Sequence, residues 1–256
     1  MMKYKGYLID LDGTMYRGKE PIAEAPRFIE QLREAKIPFL FLTNNSTKTP
    51  ADVAANLRDN FGIEAADEEI ITTSLATADY LSSLNKGKTV YAIGEKGLHE
   101  ALAAKGFTGE EQNPDYVVIG LDQHVTYEKF KIATLAIHNG AEYIATNRDT
   151  NLPSEIGMLP GAGSLAAVLT TATRVQPTFI GKPESIIMEQ ALKKLGLTAD
   201  EVLMVGDNYE TDIIAGIRSD IDTLLVFTGF TSREEAEKLE IQPTYKIDTL
   251  ADWVIE

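Results

Sequence analysis

Cysteine is absent from this 256-residue chain, which also has only three histidines and one tryptophan. The absence of cysteine excludes disulfides, thiol catalysis and zinc–thiolate sites, and it is compatible with a cytoplasmic location. His99 and His138 fall in predicted helices and His124 in a loop, so we expect all three to be structural or solvated. Acid–base chemistry and metal binding must then rest on carboxylates, hydroxyls and lysine.

Positive charge is also scarce: 24 lysines and arginines face 39 acidic residues, a net charge of −15. An acidic surface repels nucleic acid and anionic lipid, so we expect neither partner. Local positive groups must hold any anionic substrate. No apolar run reaches membrane-spanning length, and residues 1–6 leave no room for a signal peptide, so we expect a cytoplasmic protein. The sequence does not indicate an oligomeric state.

Short apolar segments alternate with helical patterns along the whole chain. Strands are predicted at 7–9, 39–42, 70–72, 90–94, 116–120, 143–146, 178–180, 202–205 and 223–227. Helices are predicted at 24–35, 49–61, 75–84, 95–105, 127–139, from 161 or 163 to 171, and at 184–195, 211–218 and 232–239. Residues 147–160 are predicted to be irregular. This alternation predicts parallel strand pairing and an α/β fold.

The first predicted strand ends in two carboxylates, Asp10 and Asp12, followed by Gly13 and Thr14. In an open α/β sheet, ligands bind outside the carboxyl ends of the strands. Two neighbouring carboxylates at that edge are unfavourable unless a metal ion or a proton offsets their repulsion. The pattern therefore indicates a cation site, although a hydrophilic loop is the simpler alternative.

Three further apolar segments end in residues suited to phosphate chemistry: Thr43, Lys182 and Asp207. Each alone has an ordinary explanation, as a turn around Thr43 or Asp207 or as a solvated loop lysine. Their common placement, at the end of a strand or the start of a helix, favours one shared site.

This order resembles the four motifs of the haloacid dehalogenase superfamily, whose fold is a Rossmann-like core. The resemblance implies that Asp10 is the nucleophile and Asp12 the general acid/base. It implies that Thr43 binds the transferring phosphoryl group and that Lys182 orients the nucleophile and the phosphate. It implies that the carboxylates of Asp10, Asp207 and Asp212 bind a metal ion, together with the backbone carbonyl of Asp12. Phosphate contacts are expected from Gly13 and Asn44.

The residue types suit phosphoryl transfer independently of any family. A carboxylate is a competent nucleophile on phosphorus and forms an aspartyl-phosphate. Phosphoryl transfer depends mainly on positioning and charge neutralisation, so a lysine and a divalent cation are expected. Hard oxygen donors without a cysteine or histidine cluster favour Mg²⁺ as that cation.

A long insertion separates the Thr43 and Lys182 segments, at residues 78–179, and leaves 1–77 and 180–256 as the core. The resemblance makes this insertion an α/β cap of type C2, as in the NagD-like phosphatases. Cap residues expected at the substrate are Asn147, Arg148, Asp149, Gly161 and Gly163. Many members of that branch have proline where Arg148 stands. The two glycines either leave N–H groups open near the substrate or simply tighten a loop into a helix, and the Arg148–Asp149 pair either faces the cleft or is solvated.

We therefore expect a Mg²⁺-dependent phosphatase that hydrolyses small phosphomonoesters, among them sugar phosphates, nucleoside monophosphates and aryl phosphates. A dehalogenase is disfavoured because that branch has no aspartate at the position of Asp12, and a phosphoryl mutase would carry a different cap. The alternative from another class is a non-catalytic phosphate-binding or regulatory protein of the same fold. Such a protein would be expected to lose at least one of Asp10, Asp12, Lys182 and Asp207, and none is lost. An unrelated α/β binding module is the remaining alternative.

Overall fold

The structure is a computed structural model that describes residues 3–154 and 156–255. Its strands are β1 (Gly6–Ile9), β2 (Tyr16–Arg17), β3 (Glu20–Pro21), β4 (Phe39–Thr43), β5 (Ile70–Thr72), β6 (Thr89–Ile93), β7 (Thr108–Gly109), β8 (Tyr116–Ile119), β9 (Glu142–Ala145), β10 (Asn151–Ser154), β11 (Gly157–Pro160), β12 (Thr178–Phe179), β13 (Val202–Gly206), β14 (Asp222–Val226) and β15 (Tyr245–Ile247). Its α-helices are α1 (Ala25–Glu34), α2 (Pro50–Phe61), α3 (Thr73–Leu84), α4 (Lys96–Ala104), α5 (Tyr127–His138), α6 (Ala162–Thr173), α7 (Ser185–Leu195), α8 (Ile214–Arg218) and α9 (Arg233–Glu237). A π-helical segment, Tyr209–Ile213, leads into α8.

Internal contacts divide the described chain into two units. The first contains residues 3–43, 51–71 and 182–255, and the second contains residues 44–50 and 72–181. The sequence boundary at 77/78 falls inside α3, whereas the whole of that helix belongs to the second unit because it packs against α4.

The first unit is built on a six-stranded sheet with the order β15-β14-β13-β1-β4-β5. Strand β1 lies near its centre and pairs in parallel with β13 and β4. All four residues of β1 are buried, as expected of a parallel strand covered on both faces. Tyr7, Ile9 and Phe41 from these strands pack with Phe28 of α1 and Leu57 of α2 in one hydrophobic core.

The second unit has its own five-stranded parallel sheet, with the order β12-β9-β8-β6-β7. Strand β8 (Tyr-Val-Val-Ile) is fully buried, and α5 and α6 pack over it through Ala133, Ala136 and Leu169. Two parallel sheets with intervening helices confirm the predicted α/β class. Within the two described ranges, no helix has the length and apolarity needed to cross a bilayer.

The structure differs from the predicted elements at several places. Residues predicted to be irregular, 147–160, include the antiparallel hairpin β10–β11. The edge strands β7 and β15 were not predicted, because two or three residues are too few to show a period. The helix predicted from residue 211 begins two residues earlier, as the π-helical segment at Tyr209.

Candidate active site

Three carboxylates meet at the carboxyl edge of the first unit's sheet. Asp10 follows β1, Asp207 follows β13, and the two strands are parallel neighbours, so their ends lie side by side. Asp212 comes from the π-helical segment that immediately follows the Asp207 loop. One oxygen from each carboxylate lies within 4.8 Å of the others. The structure thus brings together the acids predicted from two separate motifs.

The ammonium group of Lys182 lies between two of these acids. Its Nζ is 2.5 Å from Oδ1 of Asp10 and 2.7 Å from Oδ1 of Asp212, and it also donates to the carbonyl of Leu42 at 3.0 Å. Lys182 is only 1% exposed. Burial alone would lower the pKa of Lys182, but the two carboxylates outweigh it and hold that pKa above its ordinary value. The lysine is therefore a permanent cation with all three donors engaged.

The carboxylates remain in excess over this single ammonium. Burial, and then repulsion from Asp212, raise the pKa of Asp10 well above its ordinary value, although Lys182 opposes the shift. The same two causes raise the pKa of Asp207 to about 7. Both carboxyls are thus poised to lose their protons when a further positive charge enters the site.

A loop that the sequence did not single out, residues 228–231, surrounds Asp207. The N–H of Phe230 donates to Oδ2 of Asp207 at 2.6 Å, and the N–H of Thr231 donates to the Asp207 carbonyl at 3.1 Å. On the other side, the Thr14 hydroxyl donates to Oδ1 at 3.2 Å. The sequence did contain one signal for this loop. It follows the predicted strand that became β14, which pairs in parallel with β13, so both strands end at the same edge of the sheet.

Asp12 and Gly13 have different surroundings from Asp10. Asp12 is exposed, and its Oδ1 accepts from the N–H of Gly18 at 3.1 Å, so its carboxylate is outside the three-acid cluster. The N–H of Gly13 donates to the Tyr16 carbonyl at 2.6 Å, and the phosphate contact expected from this loop stays a prediction. Gly13 is also needed for space: its φ is +99°, and a Cβ there would collide with the Asp207 carboxylate.

Thr43 and Asn44 separate at the boundary between the units. Thr43 ends β4, the parallel neighbour of β1, and belongs to the first unit with Asp10, Lys182 and Asp207. Asn44 belongs to the second unit, where its side-chain amide donates to both carboxylate oxygens of Asp149, at 3.1 and 3.2 Å. This amide is thus engaged with the cap carboxylate, and the phosphate contact from Asn44 stays a prediction.

The predicted cap residues also lie together, but not as open phosphate ligands. The guanidinium of Arg148, an exposed residue, stacks on the Phe179 ring at 4.4 Å from its centroid. The N–H groups of Gly161 and Gly163 donate to the carbonyls of Thr150 and Asp149, each at 2.9 Å. These two hydrogen bonds favour the loop-tightening alternative for the glycines, and their contact with a substrate stays a prediction.

Comparison with known proteins gives consistent matches over nearly the whole chain. A family described as haloacid dehalogenase-like hydrolases matches residues 7–108, and one described as HAD-hydrolase-like matches residues 179–253. The 5′-nucleotidase YutF of Bacillus subtilis is 53% identical over 254 residues, which cover 99% of each chain. An acid sugar phosphatase of Staphylococcus saprophyticus is 50% identical, covering 100% of this chain and 99% of its own. The solved structure of NagD from E. coli K-12 superposes with a TM-score of 0.94 over 100% of both chains at 30% identity.

Proposed function

Because the chain belongs to the haloacid dehalogenase-like hydrolases and is a phosphatase of that family, we propose that it hydrolyses small phosphomonoesters with Asp10 as the nucleophile and Mg²⁺ as the cofactor. The observation that carries this proposal is the buried ammonium of Lys182 between Asp10 and Asp212, beside Asp207. A non-catalytic protein would have no need to maintain a buried excess of carboxylate around an attacking group.

The residues present fit a magnesium ion. Oxygens of Asp10, Asp207 and Asp212 lie within 4.8 Å of one another, and hard oxygen donors are the ligands Mg²⁺ prefers. Burial and, second to it, repulsion from Asp212 raise the pKa of both Asp10 and Asp207. A bound cation would offset this repulsion. We assign these three carboxylates as ligands, directly or through water, together with the Asp12 carbonyl. When bound, the ion would neutralise charge on the transferring phosphoryl group.

Asp10 would attack phosphorus, forming an Asp10–phosphorus bond as the bond from phosphorus to the leaving oxygen breaks. The 2.5 Å contact from Lys182 holds the Asp10 carboxylate in one orientation. Asp12 would protonate the departing alcohol. Its exposed carboxylate, held by the Gly18 N–H, suits a group that must exchange protons with the substrate and with water.

In the second half of the reaction, Asp12 would take a proton from water as that water attacks the phosphoenzyme. The Asp10–phosphorus bond then breaks, releasing inorganic phosphate and restoring the Asp10 carboxylate. We assign the Thr43 hydroxyl to the phosphoryl oxygens, since β4 places it beside β1 at the same edge of the sheet.

Arg148 and Asp149 of the cap would contact the leaving group. Relatives named 5′-nucleotidase and acid sugar phosphatase share about half of their residues with this chain, so nucleoside monophosphates and sugar phosphates are candidate substrates, and so are aryl phosphates. The exposed guanidinium of Arg148 supplies a positive charge beside Asp149 in a chain whose net charge is −15.

Phosphate release from a panel of esters tests the proposed function. The panel contains a nucleoside monophosphate, a hexose phosphate and p-nitrophenyl phosphate, each assayed with Mg²⁺, with Ca²⁺ and with EDTA. We expect release with Mg²⁺, little with the larger Ca²⁺ and none in EDTA, with activity restored by added Mg²⁺. Undiminished release in EDTA would remove the metal from the proposal, and no release from any ester would remove the substrate class.

A further inference from the structure

Asn147, predicted as a substrate contact, is turned into the protein. It follows β9 by two residues and is only 3% exposed. Its side-chain Nδ2 donates to the carbonyl of Asn44 at 2.7 Å, and its Oδ1 accepts from the N–H of Asp149 at 3.0 Å. Both polar atoms of this side chain are therefore engaged with backbone, which leaves no outward-facing group for a ligand.

The carbonyl that Asn147 binds belongs to the residue directly after Thr43. A second donor, the hydroxyl of Thr73 at the start of α3, reaches the same Asn44 carbonyl at 2.8 Å. Two donors on one carbonyl fix the plane of the peptide that follows Asn44. Since Thr43 is covalently joined to Asn44, these two bonds restrict the path of the chain as it leaves Thr43.

The segment after β9 also binds Gly181, the residue directly before Lys182. The N–H of Gly181 donates to the carbonyl of Thr146 at 2.8 Å. A Cβ at Gly181 would lie 2.6 Å from Oδ1 of Asn44 and 3.0 Å from the Thr146 carbonyl, so only glycine allows this approach. The chain segments next to Thr43 and Lys182 are thus packed against each other on two consecutive residues, Thr146 and Asn147.

We propose that Asn147 is a positioning residue, which with Thr146 sets the relative placement of Thr43 and Lys182. The inference rests on the proposed roles of those two residues in phosphoryl transfer. Displacing a catalytic group by about 1 Å can reduce a rate about 100-fold, even when the altered residue lies away from the chemistry. Asn147 therefore serves the phosphoryl group, which all substrates share, and not the leaving group.

This role makes a different kinetic prediction from a substrate contact. A contact with the leaving group would act on KM and would differ from one ester to another. A positioning residue acts on the chemical step, so its loss lowers kcat by the same factor for every ester while KM stays nearly constant. The two possibilities are therefore separable on the panel of three esters.

The test variant is Asn147→Asp, which keeps the shape of the side chain and the acceptor for the Asp149 N–H. It replaces the donor to the Asn44 carbonyl by an oxygen that repels it. We expect kcat to fall about tenfold or more on all three esters, with KM within about twofold of wild type. The matched control is Asn151→Asp, the same change at an exposed asparagine whose amide donates to the Thr150 hydroxyl at 3.2 Å, and its kinetics should equal those of wild type.

A second variant covers the case in which Asn147→Asp does not fold, as judged by its melting curve. Thr73→Val removes the other donor to the Asn44 carbonyl without changing volume, and it should lower kcat by a smaller factor, again equal for all esters. Unchanged kcat in both variants, or a rise in KM that depends on the ester, would overturn the inference. Failure of the proposed function would instead show as no phosphate release by the wild-type protein.

Discussion

Lys182 shows how surroundings determine the role of a residue type that is usually solvated. Its ammonium is buried, which is unfavourable unless every donor is matched, and Asp10, Asp212 and the Leu42 carbonyl match it. Substituting it alone would leave two buried carboxylates without their partner. Asp207 shows the opposite balance: burial and repulsion from Asp212 raise its pKa to about 7, although the donors of Phe230 and Thr14 oppose the shift.

The raised pKa of Asp207 predicts how the stability of the metal-free protein changes with pH. A carboxyl whose pKa is higher in the folded than in the unfolded state stabilises fully below the unfolded value of 3.8. That contribution is lost as the pH rises through the folded value of about 7. In EDTA, the melting temperature of wild type should therefore fall relative to that of Asp207→Asn as the pH is raised from 5 to 8.

Melting curves of both proteins across that pH range check this prediction. Only the difference between the two proteins matters, because other groups titrate in both. We expect the difference to change by several degrees, since 1 kcal/mol shifts Tm by roughly 2–4 °C in a domain of 150–250 residues. A difference that is constant with pH would show that Asp207 ionises normally in the folded protein.

At the scale of elements, the strand ends were predictable and the loops around them were not. Asp10 and Asp207 follow short, fully buried strands and Thr43 ends another apolar strand, a pattern that is visible in the sequence. The sequence does not show in which direction an individual backbone N–H points. The N–H of Gly13 donates to the Tyr16 carbonyl and that of Gly161 to the Thr150 carbonyl, because a tight turn must satisfy its own backbone.

The cap segment between β9 and β10 carries its own prediction. Arg148 is exposed and is oriented by stacking on Phe179, so Arg148→Ala removes a cation without opening the core. If this guanidinium binds the leaving group, kcat/KM for the preferred ester should fall by a factor equivalent to about 1–3 kcal/mol of lost binding free energy. The fall should arise from a higher KM, with kcat nearly unchanged. p-Nitrophenyl phosphate should be affected much less, because its leaving group offers little for the guanidinium to bind.

Steady-state kinetics on both esters check this assignment. Lys131→Ala provides the control, since it removes another exposed cation from the same unit, one that pairs only with Glu128 on its own helix in the described structure. Equal losses on both esters, or the same loss in the control, would assign Arg148 to folding or to bulk charge.

At the scale of the whole molecule, the chain passes between two α/β units, and the proposed chemistry falls in the first. Asp10, Lys182 and Asp207 all belong to that unit, although 171 residues lie between the first two along the chain. Motif order predicted that they meet, because parallel strands bring their carboxyl ends to one edge. The membership of Asn44 in the second unit was not predictable, since it depends on hydrogen bonds to residues about 100 positions away.

In the proposed mechanism, Asp10 carries the phosphoryl group during turnover. Rapid acid quenching of the enzyme while it hydrolyses a radiolabelled phosphomonoester with Mg²⁺, followed by digestion and mass spectrometry, tests this role. We expect labelled phosphate on Asp10 as an acid-stable, base-labile acyl phosphate, and no label in Asp10→Asn. Label on a serine or threonine, or turnover with no covalent label at the earliest quench times, would contradict the role of Asp10.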